Sequence, residues 1–253
     1  MVAEGHSWSL EGRTALVTGA SSGIGRATAR VFAAAGAHVF VHYFRGTDRA
    51  RAVAKAIDAE GGSATLLGAD LAAPGAAAEV ARALSAAGRG LDILVNNVGD
   101  PIRRVAFAEV DEALLDQTVA LNFKSPFLLT QALLPLLAER QGVIVNVSTA
   151  LTRRAGSGGN LHYAAVKGAV NILTAGLAVE LAPLGIRVNC IAPGAIDTEL
   201  QARLSTPERL ERSKARTLMH RLGKPEEIAQ AILFAAAPAS AYMTGQTIFV
   251  DGG

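Results

Sequence analysis

The chain has 253 residues, with 24 Lys plus Arg against 22 Asp plus Glu and a formal charge of +2, too even a balance for the dense basic stripe of a nucleic-acid-binding surface. Half of it is apolar, 18% is charged where ~25% is usual, and 26 residues are glycine, which excludes a disordered, collagenous or coiled-coil chain and allows a sizeable core. So much Gly and Ala calls for closely packed elements or for backbone brought against a ligand.

Residues 1–11 read as a flexible leader. After them, short and nearly continuous apolar runs at 14–18, 38–43, 64–68, 91–96, 142–147, 187–191 and 247–250 have the character of strands buried on both faces. Helical patterns alternate with them at 24–35, 47–60, 75–87, 112–140, 162–181 and 225–237. In the first, Ile24, Val31, Phe32 and Ala35 recur at helical spacing while Arg26 and Arg30 fall on other faces. Gly36 then supplies a stop, as Gly61, Gly88 and Gly185 do later. This alternation implies right-handed βαβ crossovers and a doubly wound, seven-stranded parallel α/β sheet in one Rossmann-like domain over 12–253. Only 196–224 breaks the rhythm. It is a long, mostly polar insertion with helical fragments, as expected of a substrate loop or lid.

Cys190 is the one cysteine, so neither an intramolecular disulfide nor a cysteine zinc site can form. Its apolar surroundings point to a buried, inert thiol. The five histidines show no metal-ligand spacing, and no metal is expected. The N-terminus lacks the pattern of a signal peptide, and no apolar run approaches the ~20 residues of a membrane span. A cytoplasmic protein acting on a small molecule, without membrane or nucleic acid, is the expectation.

The turn after the first strand reads Thr18-Gly19-Ala20-Ser21-Ser22-Gly23-Ile24-Gly25. A pyrophosphate needs the free N–H groups of a helix N-terminus and no side chains in its way. Glycines at 19, 23 and 25 fit that need, and Ser21 and Ser22 offer hydroxyls. A tight strand–helix connection would use the same glycines, but the strand before and the helix after are the context a dinucleotide requires. An acid at the end of the second strand would bind a ribose hydroxyl and favour NAD. Here the chain reads His42-Tyr43-Phe44-Arg45, so Arg45 is a candidate for a 2′-phosphate and NADP(H) is favoured over NAD(H). Asp70 and Leu71, after the third strand, are candidates for the adenine.

Further motifs follow in order. They are Asn96-Asn97-Val98-Gly99, Asn122 in Leu121-Asn122-Phe123, Asn146-Val147-Ser148-Thr149, Tyr163-Ala164-Ala165-Val166-Lys167, Pro193-Gly194 with Ile196 and Thr198, and Thr244-Gly245 through Asp251-Gly252-Gly253. With the glycine turn they resemble the short-chain dehydrogenase/reductase family over about residues 10–253, in the manner of a carbonyl or 3-oxoacyl-carrier-protein reductase. The resemblance implies hydride transfer between a nicotinamide and a carbonyl or secondary alcohol. It implies Tyr163 as acid/base, Lys167 lowering its pKa and holding the nicotinamide ribose, and Asn122 holding a relay water. A helix-kink role is the alternative for Asn122. The family's catalytic serine falls at Thr149, and Ser148 is an equal candidate. Asn97, Gly99, Pro193, Gly194, Ile196 and Thr198 would line the cofactor. Enoyl reductases of related fold space Tyr and Lys more widely.

Arg103-Arg104 and Arg153-Arg154 lie in the segments facing the substrate, 100–105 and 150–161. They suggest an anionic substrate or an acidic carrier protein at the rim, and solvated or subunit-contact arginines are the alternative. The resemblance also implies a homotetramer, or a dimer, joined through Phe127, Leu128, Leu133, Leu134, Val170, Leu173 and Leu177. Two other functions fit the motifs: an NAD-dependent sugar or polyol dehydrogenase, and a catalytically silent dinucleotide-binding sensor.

Overall fold

The computed structural model describes residues 7–154 and 158–253. Residues 1–6 of the expected leader, and 155–157 of the expected substrate-facing segment 150–161, lie outside the described residues. Seven strands, β1 (Thr14–Val17), β2 (His38–Tyr43), β3 (Ser63–Gly68), β4 (Ile93–Asn96), β5 (Val143–Val147), β6 (Arg187–Pro193) and β7 (Thr247–Val250), form one sheet in the order β3-β2-β1-β4-β5-β6-β7. Every pairing is parallel, for example Leu16 opposite Phe40 on one side and Leu94 on the other.

Period-two alternation sends successive side chains to opposite faces. Val17, Val39, Val145 and Ile191 build one core with Phe32 and Ile232. Their neighbours Leu16, Leu94, Ile144 and Val188 build the other with Leu84, Leu133 and Leu181. Helices α1 (Gly23–Ala34), α2 (Thr47–Ala59) and α9 (Pro225–Ala236) cover the first face. Helices α3 (Ala76–Ala86), α4 (Glu112–Val119), α5 (Ser125–Glu139) and α6 (Leu161–Leu181) lie on the second. The 196–224 insertion carries two short helices, α7 (Glu199–Leu204) and α8 (Pro207–Arg216), capped by the Thr198 and Thr206 hydroxyls. The chain leaves β1 to build β2 on one side and β4 on the other, so a crevice opens beyond their carboxyl ends, where α/β sheets bind ligands.

Four expectations need correction. Residues 7–11 of the leader are tied down: Leu10 is buried and its N–H donates to Ala35 O, Ser7 O accepts from Ala239, and Trp8 tilts against Phe234. The helical pattern at 112–140 breaks into α4 and α5 around a π turn at Ala120–Lys124. Pro126 has no N–H to give the Asn122 carbonyl, and the Asn122 side chain takes the Thr118 carbonyl, so the regular ladder cannot run through.

The apolar length of α6 also departs from the expectation that no run approaches a membrane span. With the turn after it, Leu161–Leu184 is long and apolar enough by length and composition to cross a membrane, but here it packs on β6 as a core helix. On the expected association face, Leu133 and Val170 are buried core residues, while Leu134, Leu173 and Leu177 are half-buried. The exposed apolar side chains there are Phe127 and Leu128 on α5 and Ile172 and Val179 on α6.

Candidate active site

A cavity of about 620 Å³ lies over the carboxyl ends of the strands. The glycine turn forms one end. Gly19 and Gly23 adopt φ of +65° and +50°, a region that L side chains resist. A Cβ on Gly25 would press on the Gly19 carbonyl and come within 2.6 Å of Asn97 Nδ2. Gly25 therefore lets helix and strand close up, while Gly19, Ser21, Ser22, Gly23 and Ile24 line the cavity. The free N–H groups of α1 already hold an oxyanion: Glu199 of α7 accepts from Gly23 N at 3.1 Å and pairs with Arg26 at 2.9 Å. The cradle thus fits a pyrophosphate, which would take over the position of Glu199.

His42 braces this turn, a role the sequence did not suggest. Its Nδ1 accepts from Gly19 N at 3.1 Å and its Nε2 lies 3.1 Å from Ala69 O, so the ring ties β1 to the end of β3. Both bonds require the neutral imidazole with its proton on Nε2. Burial lowers its pKa from 6.5 to about 4. Between those values the unfolded chain binds the proton more readily, so stability present above pH 6.5 is lost as pH falls toward 4, by up to roughly 3 kcal/mol. Denaturation against pH is expected to show a flatter dependence for His42→Gln in this window. Equal slopes for wild type and variant would remove His42 as the cause.

Tyr43, Phe44, Asp70 and Leu71 line the far end. Arg45 does not. It is exposed, and its guanidinium sits 5.1 Å from the centre of the Phe44 ring, on the rim. Aromatic stacking competes with the expected inward position. Among the lining residues the β2 end carries no acid.

Tyr163, Lys167, Ser148, Thr149, Asn97 and Gly99 line the same cavity, as do Pro193, Gly194, Ile196 and Thr198. Tyr163 and Lys167 lie one turn apart on α6. Lys167 is buried, its Nζ donating to Val147 O at 2.8 Å and Val98 O at 3.4 Å. Burial lowers its pKa to about 8. A Cβ on Gly99 would stand 2.8 Å from that nitrogen. The expectation that Lys167 lowers the Tyr163 pKa is not met by the protein's own groups. Desolvation in the cleft pushes the phenol above its ordinary value, and the Asp100 carboxylate pushes it the same way.

The side chain of Asn122 is committed. Nδ2 donates to Asp100 O and Thr118 O, each at 2.9 Å, and Oδ1 accepts from Asp100 N at 3.0 Å. It lies off the cavity lining and kinks the helix while tethering the loop after β4. Both amide protons are committed, so the groups of Asn122 left to hold a relay water are the second lone pair of Oδ1 and the main-chain carbonyl that Pro126 leaves without its helical donor. Ser148 and Thr149 are both buried against the cavity. The Ser148 hydroxyl accepts from Thr149 N at 2.5 Å, and the Cys190 thiol, which burial pushes up to about 11, donates to Asn171 Oδ1 at 3.6 Å. Thr149 Oγ1 caps the following turn through Leu151 N at 3.3 Å and keeps its proton free to donate.

The arginine pairs separate. Arg103 pairs with Asp111 at 2.5 Å, and Arg153 lies over the Phe249 ring, 3.9 Å from Asp251. Arg104 and Arg154 line the cavity, joined there by Arg209 from α8, which the sequence did not single out.

The chain matches a family model described as enoyl-(acyl carrier protein) reductase over residues 19–253. It is 37% identical to the uncharacterized oxidoreductase YgfF of Escherichia coli (strain K12), over 94% of this chain and 98% of that one. It is also 37% identical to the 3-oxoacyl-[acyl-carrier-protein] reductase FabG of Thermotoga maritima, over 96% of this chain and 98% of that one. Among solved structures it resembles a putative NAD(P)-dependent gluconate 5-dehydrogenase from Beutenbergia cavernae with bound NADP. The identity there is 40%, coverage is 98% of each chain and the TM-score is 0.91.

Proposed function

The chain belongs to the short-chain dehydrogenase/reductase family as an NAD(P)-dependent oxidoreductase acting on CH–OH groups, and on that footing we propose that it is an NADP(H)-preferring carbonyl reductase or alcohol dehydrogenase in which Tyr163 is the acid/base. The observation that carries this reading is the meeting of Tyr163, Lys167 and Thr149 in the cavity that the glycine turn closes. The three intervening residues between Tyr163 and Lys167 favour carbonyl chemistry over the enoyl reduction in the matched model's name.

The glycine turn with Asn97, Gly99, Pro193, Ile196 and Thr198 would hold the dinucleotide, which would supply the hydride and, once oxidised, a positive charge. In reduction, the phenol of Tyr163 gives its proton to the carbonyl oxygen as the carbonyl carbon is reduced, leaving tyrosinate. Thr149 donates a hydrogen bond to that oxygen and fixes its position; Ser148 accepts from Thr149 N and supports it. Lys167 stabilises the tyrosinate when charged. Because burial brings its pKa to about 8, it exchanges protons readily in the working range.

Asp100 opposes that stabilisation. Asp100→Asn keeps an acceptor for Ile102 N and removes the negative charge. In alcohol oxidation, where tyrosinate is the active form, the rising limb of kcat/KM against pH is expected to move to lower pH in this variant. An unmoved limb would separate Asp100 from the titrating group.

The missing acid at the β2 end supports NADP(H), as does the NADP in the Beutenbergia structure. The gluconate 5-dehydrogenase activity named for that protein also supports the second reading, a sugar or polyol dehydrogenase. The exposed Phe127, Leu128, Ile172 and Val179 support self-association through α5 and α6, as a tetramer or dimer. Titration with NADPH and NADH, followed by a carbonyl and polyol panel, tests the reading. Tighter NADPH binding with carbonyl turnover is expected; tight binding without turnover on any member would favour a silent sensor.

A further inference from the structure

The arginines around the cavity mouth divide into satisfied and unsatisfied groups. Arg103 is paired with Asp111, and Arg203 of α7 is paired with Asp100 at 2.5 Å and reaches Ile102 O at 3.4 Å. Among the described residues, Arg104, Arg154, Arg209, Arg212 and Arg216 line the cavity without an ion pair, and of these Arg154, Arg212 and Arg216 are exposed while Arg104 and Arg209 are not. Nε of Arg104 is buried and has no hydrogen-bond partner there. Arg209 gives one bond, from Nη1 to Gly158 O at 2.9 Å. Both side chains are half-buried and line the cavity that holds Tyr163. Burial lowers the Arg104 pKa, and the charge of Arg209 lowers it further, so the two guanidiniums feel each other.

The loop that carries Arg104 is held in a strained shape. Ile102, a β-branched residue, adopts φ of +66°, a conformation that only surrounding contacts maintain. Those contacts are Asp100 Oδ1 on Ile102 N at 2.7 Å, His162 Nε2 on Pro101 O at 3.0 Å and Val105 N on Gly159 O at 3.0 Å. The last two anchor the loop to the start of α6, one turn from Tyr163. Two like charges, partly desolvated and lining one cavity, are unfavourable unless an anion joins them.

Resting on the reductase reading above, we propose that Arg104 and Arg209 clamp an oxyanion of the substrate, a carboxylate or a phosphate, while its carbonyl meets Tyr163. Two guanidinium forks match the oxygens of either group. The substrate class is then an oxo or hydroxy acid, or a phosphorylated ketone.

Calorimetric titration of the NADP⁺ complex with two matched pairs tests this and separates the sources: 4-oxopentanoate against its methyl ester, and dihydroxyacetone phosphate against dihydroxyacetone. At least one charged member is expected to bind about 10- to 100-fold more tightly than its uncharged partner, and the pair that does so identifies carboxylate or phosphate. In Arg104→Gln, and independently in Arg209→Gln on the outer helix α8, that ratio is expected to fall severalfold, with NADP⁺ affinity reporting on folding. No preference for either charged member in the wild type, no binding of either at millimolar concentration, or an unchanged ratio in both folded variants would overturn it. NADPH oxidation followed alongside reads the reductase separately. Uncharged ketones reduced without charge preference leave the reductase standing and remove the clamp. Charge preference without reduction of any ketone keeps the clamp and removes the reductase.

Discussion

Tyr163→Phe is expected to bind NADPH as the wild type does and to reduce carbonyl substrates about 10²- to 10⁴-fold more slowly. The ring stays, so the wall of the cavity and the packing at the start of α6 stay with it. The lost atom is the one that gives its proton to the developing alkoxide. Lys167 is turned to the Val147 and Val98 carbonyls, and the Ser148 hydroxyl, which accepts from Thr149 N, is a weak acid. Thr149 can polarise a carbonyl but is a weak acid. The loss should fall on kcat, because the phenol acts mainly in the transition state. Stopped-flow cofactor binding and steady-state turnover on one carbonyl measure both sides of this statement. Turnover within a few-fold of wild type would remove Tyr163 as the acid/base.

Gly25→Ala is expected to destabilise the fold by about 1–3 kcal/mol and to weaken dinucleotide binding sharply. Its backbone is not in the left-handed region, so the effect comes from space alone. The added methyl would stand 2.6 Å from Asn97 Nδ2 and 2.8 Å from the Gly19 carbonyl carbon. Backbone cannot rotate away as a flexible side chain can. Asn97 Nδ2 donates to Thr18 O at 2.8 Å, and its main-chain N–H donates to Thr18 Oγ1 at 2.9 Å. Pushing Asn97 therefore loosens β1 from β4 where the cofactor cradle forms. Gly176→Ala is the control. It lies on α6 with nothing within 4 Å of the new methyl, and the gain in helix propensity should raise stability by up to about 1 kcal/mol. Thermal unfolding with NADPH titration of both variants checks the contrast. Normal cofactor affinity in Gly25→Ala would show that the turn does not form the cradle.

The frame of the molecule was legible because it depends on short-range patterns. Continuous apolar runs such as 38–43 and 187–191 mark strands buried on both faces, and observed boundaries differ by only a residue or two. Glycine carries local geometry in its residue type, so Gly19 and Gly23 were legible in the turn, whereas Tyr163 and Lys167 were legible through the family resemblance of their spacing; all four line one cavity. Long-range competition was not legible. Nothing near Asn122 in sequence reveals that the Asp100 backbone will claim its amide, or that Phe44 will hold Arg45 on the rim. His42 resembled an ordinary strand residue until β1 and β3 were placed beside it. Arg209 lies about a hundred residues from Arg104, and only the folding of α8 over the cavity mouth brings their charges together. Ionisation was the least legible property, because Tyr163 answers to its burial and to the Asp100 carboxylate, and the lysine one turn away does not offset them.

Hydride transfer itself is the central claim, and isotope transfer tests it most directly. NADPH carrying deuterium at nicotinamide C4, on the transferred face, is incubated with the protein and a ketone that the panel selects, and the alcohol is examined by mass spectrometry. One deuterium on the carbinol carbon is expected from the wild type, with formation slowed in Tyr163→Phe to the extent stated above. Bound NADPH with no labelled alcohol from any ketone in the panel would contradict the account.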